Sequence, residues 1–132
     1  MTKVNFDVTR LNIPLAKIIK ADIGIKKVIL VDRTGLSIVH VSRLSTTPID
    51  SIAAIASAVF LASEHQGESL GFGKPNIVTT EFDNGRILAV SCEKAIIVTI
   101  TDKSCPIGLA RHSMREVVPE VKRLLNLSPI RY

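Results

Sequence analysis

The sequence predicts an α+β domain: one five-stranded antiparallel sheet with helices on both faces. Three observations lead there. β-Branched runs recur five times, apolar residues spaced three and four apart mark three helices, and short turn signals join neighbouring strands. The order is α-β-β-α-β-β-β-α. At 132 residues the chain reads as one domain, long enough to bury about two-thirds of its unfolded surface. No repeat, low-complexity tract or linker interrupts it.

The first helix is read from "TRLNIPLAKIIKADIG", where Leu11, Leu15, Ile18 and Ile19 share a face. It is expected to end near Asp22 and Gly24, with Pro14 in its first turn, where a missing N–H costs nothing. In "KKVILVDRTGLSIVHVS" two β-branched runs flank the turn Asp32–Gly35, which predicts a hairpin. Val28 to Val31 is apolar on both faces and so is expected at the sheet centre.

The second helix is "DSIAAIASAVFLASEH", with Thr47 as its cap, Pro48 at its first position and Asp50 at the positive end of its dipole. "QGESLGFGKP" follows as the longest loop. The strands "NIVTTEF", "RILAVSC" and "AIIVTIT" are joined by "DNG" and "EK", a meander. The last helix opens at "SCPIG" with Ser104 as cap and Pro106 in its first turn. Its apolar face is Ile107, Ala110, Met114, Val117, Val121 and Leu124, and Pro119 is expected to kink or split it. The opposite face carries Arg111, His112, Arg115, Lys122 and Arg123. It is either a solvated face or a docking surface for an anionic partner.

The second helix has no obvious water-facing side. Advancing about 100° per residue places Ile52, Ile55, Ala56, Val59 and Phe60 on one arc, read as the core face. Ser51, Ala54, Ala58 and Leu61 form a second arc, flanked by Ser57 and His65. That arc is small and neutral, and no Lys or Arg occurs between Arg43 and Lys74 in a chain of net charge +5. Small residues three and four apart make a seam for a second helix. The first or last helix of the same chain could cover it, but both carry the charge of exposed faces, so a second chain related by a twofold axis is expected there. The strand after it alternates Ile77, Thr79, Glu81 with Val78, Thr80, Phe82, and no Lys, Pro or Gly protects it. At the sheet edge, Ile77, Val78, Thr79 and Thr80 would pair with a twin and continue the sheet across two chains.

Several chemistries lack their residues. "GESLGFGKP" departs from a phosphate loop: five residues separate Gly67 from Gly73, and Pro75 follows Lys74. No nucleophile–base or paired-carboxylate arrangement stands out, and Asp32 and Asp83 read as turn residues. Cys92, Cys105 and the three histidines share no zinc spacing. Cys92 is expected buried; Cys105 precedes a helix start, where a thiolate would be favoured, so packing and redox roles are both considered. With one Tyr and four Phe, the chain has little with which to stack on bases. No run reaches the ~20 apolar residues of a membrane span, and the N-terminus lacks a signal peptide. A soluble, cytoplasmic protein without metal or cofactor is expected.

The stretches "GIKKVILVDRTGLSIVHVS", the small-residue helix and "GRILAVSCEKAIIVTITDKSCPIGLARHSMREVVPEV" resemble the Roadblock/LC7 family over nearly the whole chain. The Asp-x-x-Gly hairpin at Asp32–Gly35 looks like the family's first hairpin. "AIIVTITD" followed by "IGLAR" looks like its last strand entering the final helix, with Gly108 at the family's glycine position. The resemblance implies a profilin-like three-layer fold with one helix on one sheet face and two on the other. It also implies dimerisation through the second helix and third strand, which names the same segments as the spacing argument. Family members regulate or scaffold small Ras-like GTPases. The resemblance therefore implies a non-enzymatic homodimer, or a heterodimer with a paralogue, that binds such a GTPase. The alternatives are an adaptor indifferent to nucleotide state and a nucleic-acid module using the basic last helix. Pro14 and Pro119 are not features the family pattern requires, and no arginine stands out as a catalytic finger.

Overall fold

Two strands apolar on both faces form the middle of the sheet in the computed structural model, which describes residues 4–5, 8–43, 48–127 and 130–131. They are β2 (Ile25–Asp32) and β6 (Ala95–Asp102), buried along most of their length. Around them lie β3 (Ser37–Ser42), β5 (Gly85–Ser91) and β4 (Val78–Phe82), in the all-antiparallel order β3-β2-β6-β5-β4. The expected five-stranded sheet is present, Val28–Val31 is internal, and β4 is an edge. Two short strands, β1 (Val4–Asn5) and β7 (Ile130–Arg131), pair as a separate ribbon that the sequence did not reveal.

Alternation along the strands separates two cores. Val28, Leu30, Leu88, Val90 and Ile97 face α1 (Val8–Ile19) and α3 (Ile107–Asn126). Ile29, Val31, Ala89, Ile96 and Val98 face α2 (Ile49–Leu70). The result is the three-layer, profilin-like arrangement with one helix on one face and two on the other.

Local expectations about the helices need four corrections. Pro14 lies inside α1 and is buried, because the helix starts at Val8 and closes at Ile19, before Asp22 and Gly24. The lost N–H is tolerated where the ring packs in the core. α2 runs on to Leu70, through the expected loop. Its end is set by Gly71, left-handed at φ 72°, whose N–H meets the Glu68 carbonyl, while the Phe72 N–H meets that of Gly67. Gly67 is needed within that helix, since a Cβ there would run into the Gly73 carbonyl oxygen. α3 is one helix across Pro119, and after Val121 its next buried residue is Leu125, with Leu124 half-buried.

The caps also differ. Pro48 and Pro106 occupy the N-cap positions where positions inside the first turn were expected, and neither makes a side-chain cap bond. Thr47 lies outside the described residues. Ser104 donates its hydroxyl to Asp102 Oδ1 at 2.6 Å, so Asp102 rather than Ser104 organises that turn. Asp102 Oδ1 also accepts the Ser104 and Cys105 amides, at 2.9 and 3.2 Å. Asp32 plays the same part in the first hairpin, accepting from the Thr34 amide and hydroxyl and from the Leu36 amide. Burial alone would raise the Asp32 pKa, but these bonds outweigh it and hold the carboxyl below its ordinary value.

Candidate functional site

α2 rests on the sheet through Ala53, Ala56, Ser57 and Phe60. Three of these are small, which lets the helix axis approach the strands closely. The expected core arc is therefore displaced: Phe60 and Ala56 are buried and Ile52 is half-buried, but Ile55 and Val59 are 66% and 42% exposed. These aliphatics overhang the β4 side of the sheet. With Ile52, Ala56, Val78, Thr80, Phe82, Ile87 and Ala89 they line a groove of about 210 Å³, in which Thr80 is the one polar residue. Phe82 is itself 58% exposed. Beside the groove, the outer edge of β4 has no partner strand among the described residues.

The sequence-predicted interface residues divide around this groove. Ser51, Ala54 and Ala58 are exposed along α2, and Leu61 is half-buried. Ser57 is not on that open side: at 2% exposure it faces the sheet, because it falls between Ala53 and Phe60 on the buried arc. Val78 and Thr80 point into the groove, while Ile77 precedes β4 and packs against the core beneath α1 and α3. Thr79 is half-buried, and strand alternation turns it to the face opposite Val78 and Thr80. Of the groove's main walls, Phe82 was grouped with Val78 and Thr80 by strand alternation, while helical periodicity assigned Ile55 and Val59 to the core. Their signal was chemical: three large apolar residues beside an edge strand with no protecting residue.

Arg33 is a second residue that the sequence does not single out. Its Nη1 donates to Glu64 Oε1 of α2 at 2.8 Å, its Nη2 to Ser91 Oγ at 2.8 Å, and its Nε to the Glu93 carbonyl oxygen. Glu93 holds φ 65° in the β5–β6 turn and donates its own amide to Ser91 Oγ. One guanidinium thus ties the first hairpin, the outer half of α2 and the β5–β6 turn together. Leu61 and His65 line an open depression next to it, with Glu68 and Lys74.

The basic face of α3 is partly neutralised. Lys122 Nζ lies 3.5 Å from Glu93, and His112 Nε2 lies 3.2 Å from Glu116 one turn on. Arg115 and Arg123 are exposed and Arg111 is half-buried.

Both thiols are buried. Burial pushes Cys92 up to about 12 and Cys105 up to about 11, and for Cys105 the neighbouring Asp22 carboxylate adds to the rise. The position before α3 therefore does not favour a Cys105 thiolate; it packs against Gly24 at the foot of the sheet. Both cysteines are expected to react with a thiol-specific disulfide reagent at neutral pH about a hundredfold or more slower than an unperturbed thiol, and readily once the chain is unfolded. A stopped-flow comparison of native and denatured protein checks this. Among the described residues, no three His, Cys, Asp or Glu side chains gather as a metal site would require. No described helix is long and apolar enough to cross a membrane.

Residues 18–101, which hold α2 and the whole five-stranded sheet but for its last residue, match the Roadblock/LC7 domain. The chain belongs to the Roadblock/LC7 family. Two uncharacterized proteins of Methanocaldococcus jannaschii are each 30% identical to this Roadblock/LC7 chain over 102 residues, covering 76% of it and 88% of the relative. Among solved structures, the gliding protein MglB of Thermus thermophilus superposes with a TM-score of 0.84 at 18% identity, covering 92% of each chain. An MglB solved in a tetrameric arrangement gives 0.82 at 18% identity, covering 89% of this chain and 88% of its own. Profilin II of Acanthamoeba castellanii gives 0.59 at 11% identity, covering 83% and 94%, so the fold is profilin-like.

Proposed function

We propose that this Roadblock/LC7 protein is a dimeric, non-catalytic regulator or scaffold that binds a small Ras-like GTPase. The dimer is built from α2 and β4. The observation that supports it most is the groove of Ile55, Val59 and Phe82 beside an unpaired strand edge. Exposed apolar surface of this kind, next to open N–H and C=O groups, is a liability in a lone chain and an interface in a pair. Twofold pairing covers the aliphatics of both copies and extends the sheet through β4. Ser51, Ala54 and Ala58 supply the close approach of one α2 to the other, and Val78 and Thr80 contribute from the strand. A paralogue with the same groove and edge would serve as well as a twin. The description of one MglB as tetrameric accords with self-association in this fold.

The GTPase enters through the family. Regulation requires that the dimer prefer one nucleotide state of its partner, since equal affinity for both shifts nothing. The protein's part is then to present a shaped surface, with no side chain of its own reacting. The test is affinity capture from the source organism's lysate with GDP or a non-hydrolysable GTP analogue, the eluate identified by mass spectrometry. A Ras-like GTPase enriched in one state is the expected result. A GTPase captured equally in both states would make the protein an adaptor indifferent to nucleotide, and recovery of nucleic acid instead would overturn the reading.

A further inference from the structure

On the sheet face away from the α2 groove, α3 and β5 leave a second depression, of about 450 Å³. Its floor is Val90, its end is Asn76, and its wall is Arg115, Val118 and Pro119. Arg111 lies one turn before Arg115 on the same helix side. The acidic residues of α3 are engaged elsewhere, Glu116 with His112 and Glu120 with Lys17 at 3.0 Å. Arg111 and Arg115 therefore meet no carboxylate among the described residues. Arg111 is half-buried, and its Nε is shut off from solvent without an acceptor. Arg115, by contrast, is exposed at the groove wall, and a carboxylate arriving beside it gains a charge-assisted bond. Pro119 adds to the wall in another way. It has no N–H to offer the Arg115 carbonyl four residues back, so that acceptor loses its usual helical donor at the groove.

We propose that this groove binds a short acidic peptide segment of a partner protein. A Glu or Asp of the segment pairs with Arg115, and an apolar side chain rests on Val90 and Val118. A backbone N–H of the segment reaches the Arg115 carbonyl. The apolar floor selects a peptide over a nucleic acid: no aromatic side chain lines the groove, so bases have nothing to stack on, while an aliphatic side chain has a seat. The site lies across the sheet from the α2 groove, so it stands or falls separately from the dimer.

The test is an NMR titration of the full chain with a short peptide alternating glutamate with leucine, run beside its glutamine counterpart. Saturable shifts at Asn76, Val90 and Val118 are expected with the acidic peptide. Affinity should fall roughly tenfold or more with the glutamine peptide, with Arg115→Glu, and on raising the salt. Arg115 is exposed, so an unchanged circular dichroism spectrum and melting curve for that variant separates lost binding from lost fold. Absence of saturable binding, equal binding of the glutamine peptide, or shifts confined to other surfaces would overturn the proposal. So would a single-stranded oligonucleotide that occupies these residues more tightly than the peptide.

Discussion

Phe60→Ala is expected to cost about 3–5 kcal/mol of folding stability, the range for deleting a fully buried aromatic ring. Phe60 is completely buried, and it is the one large side chain among the four residues by which α2 meets the sheet. Ala53, Ala56 and Ser57 have too little side chain to close the void, and the strands beneath are held in register by their ladders. For a domain of this size the melting temperature should fall by roughly 10–20 °C. Calorimetry of the variant checks this. A small loss would mean that α2 is seated by its overhanging aliphatics instead, and that the groove beside it closes in solution.

The sequence placed Phe60 on the buried arc of α2 but not the helix's full orientation, and the reason is physical. Hydrophobic periodicity locates a helix's buried face by contrast with a charged one. α2 is nearly without contrast: Ile55 and Val59 are large and apolar, yet they face outward, while Ser57 is polar and buried. Bulk placed Ile55 and Val59 on the buried arc beside Phe60 and Ala56, but close approach to the sheet favoured small side chains and displaced that arc. The strands were legible because their signals are local and strong. A two-sided apolar run placed β2 inside the sheet and turn residues indicated the hairpins, while the edge position of β4, open in the sequence, is given by the strand order. Pro14 lies in the helix interior where a first-turn position was expected, and Pro119 does not split α3, since tertiary packing outweighs one lost helical bond at each. Arg33 was invisible for a different reason: its partners Glu64, Ser91 and Glu93 are far away in sequence, and only the folded sheet brings them to one guanidinium. The apolar groove thus lies on the two segments that the sequence singled out, with Ile55 and Val59 as walls that periodicity had assigned to the core.

The corrected orientation sharpens the interface test. Ile55→Glu is expected to weaken self-association more than about a hundredfold, leaving a folded monomer. In a lone chain the new carboxylate meets water, because Ile55 is 66% exposed, so the variant should keep the parent's circular dichroism spectrum. In the pair, each copy loses roughly 1.5–3 kcal/mol of apolar burial and brings an unpaired charge into an apolar seam. Twofold symmetry applies the change twice. Sedimentation equilibrium across a concentration series measures it, with Ala58→Glu as the comparison. The two positions are both exposed but lie about 60° apart around α2. Dissociation by Ile55→Glu alone would centre the contact on the groove and on β4. Dissociation by Ala58→Glu alone would move it to the small-residue side of the helix, away from the strand edge. If both variants keep the parent's mass, α2 is not the interface, and the exposed aliphatics await a partner other than a second copy.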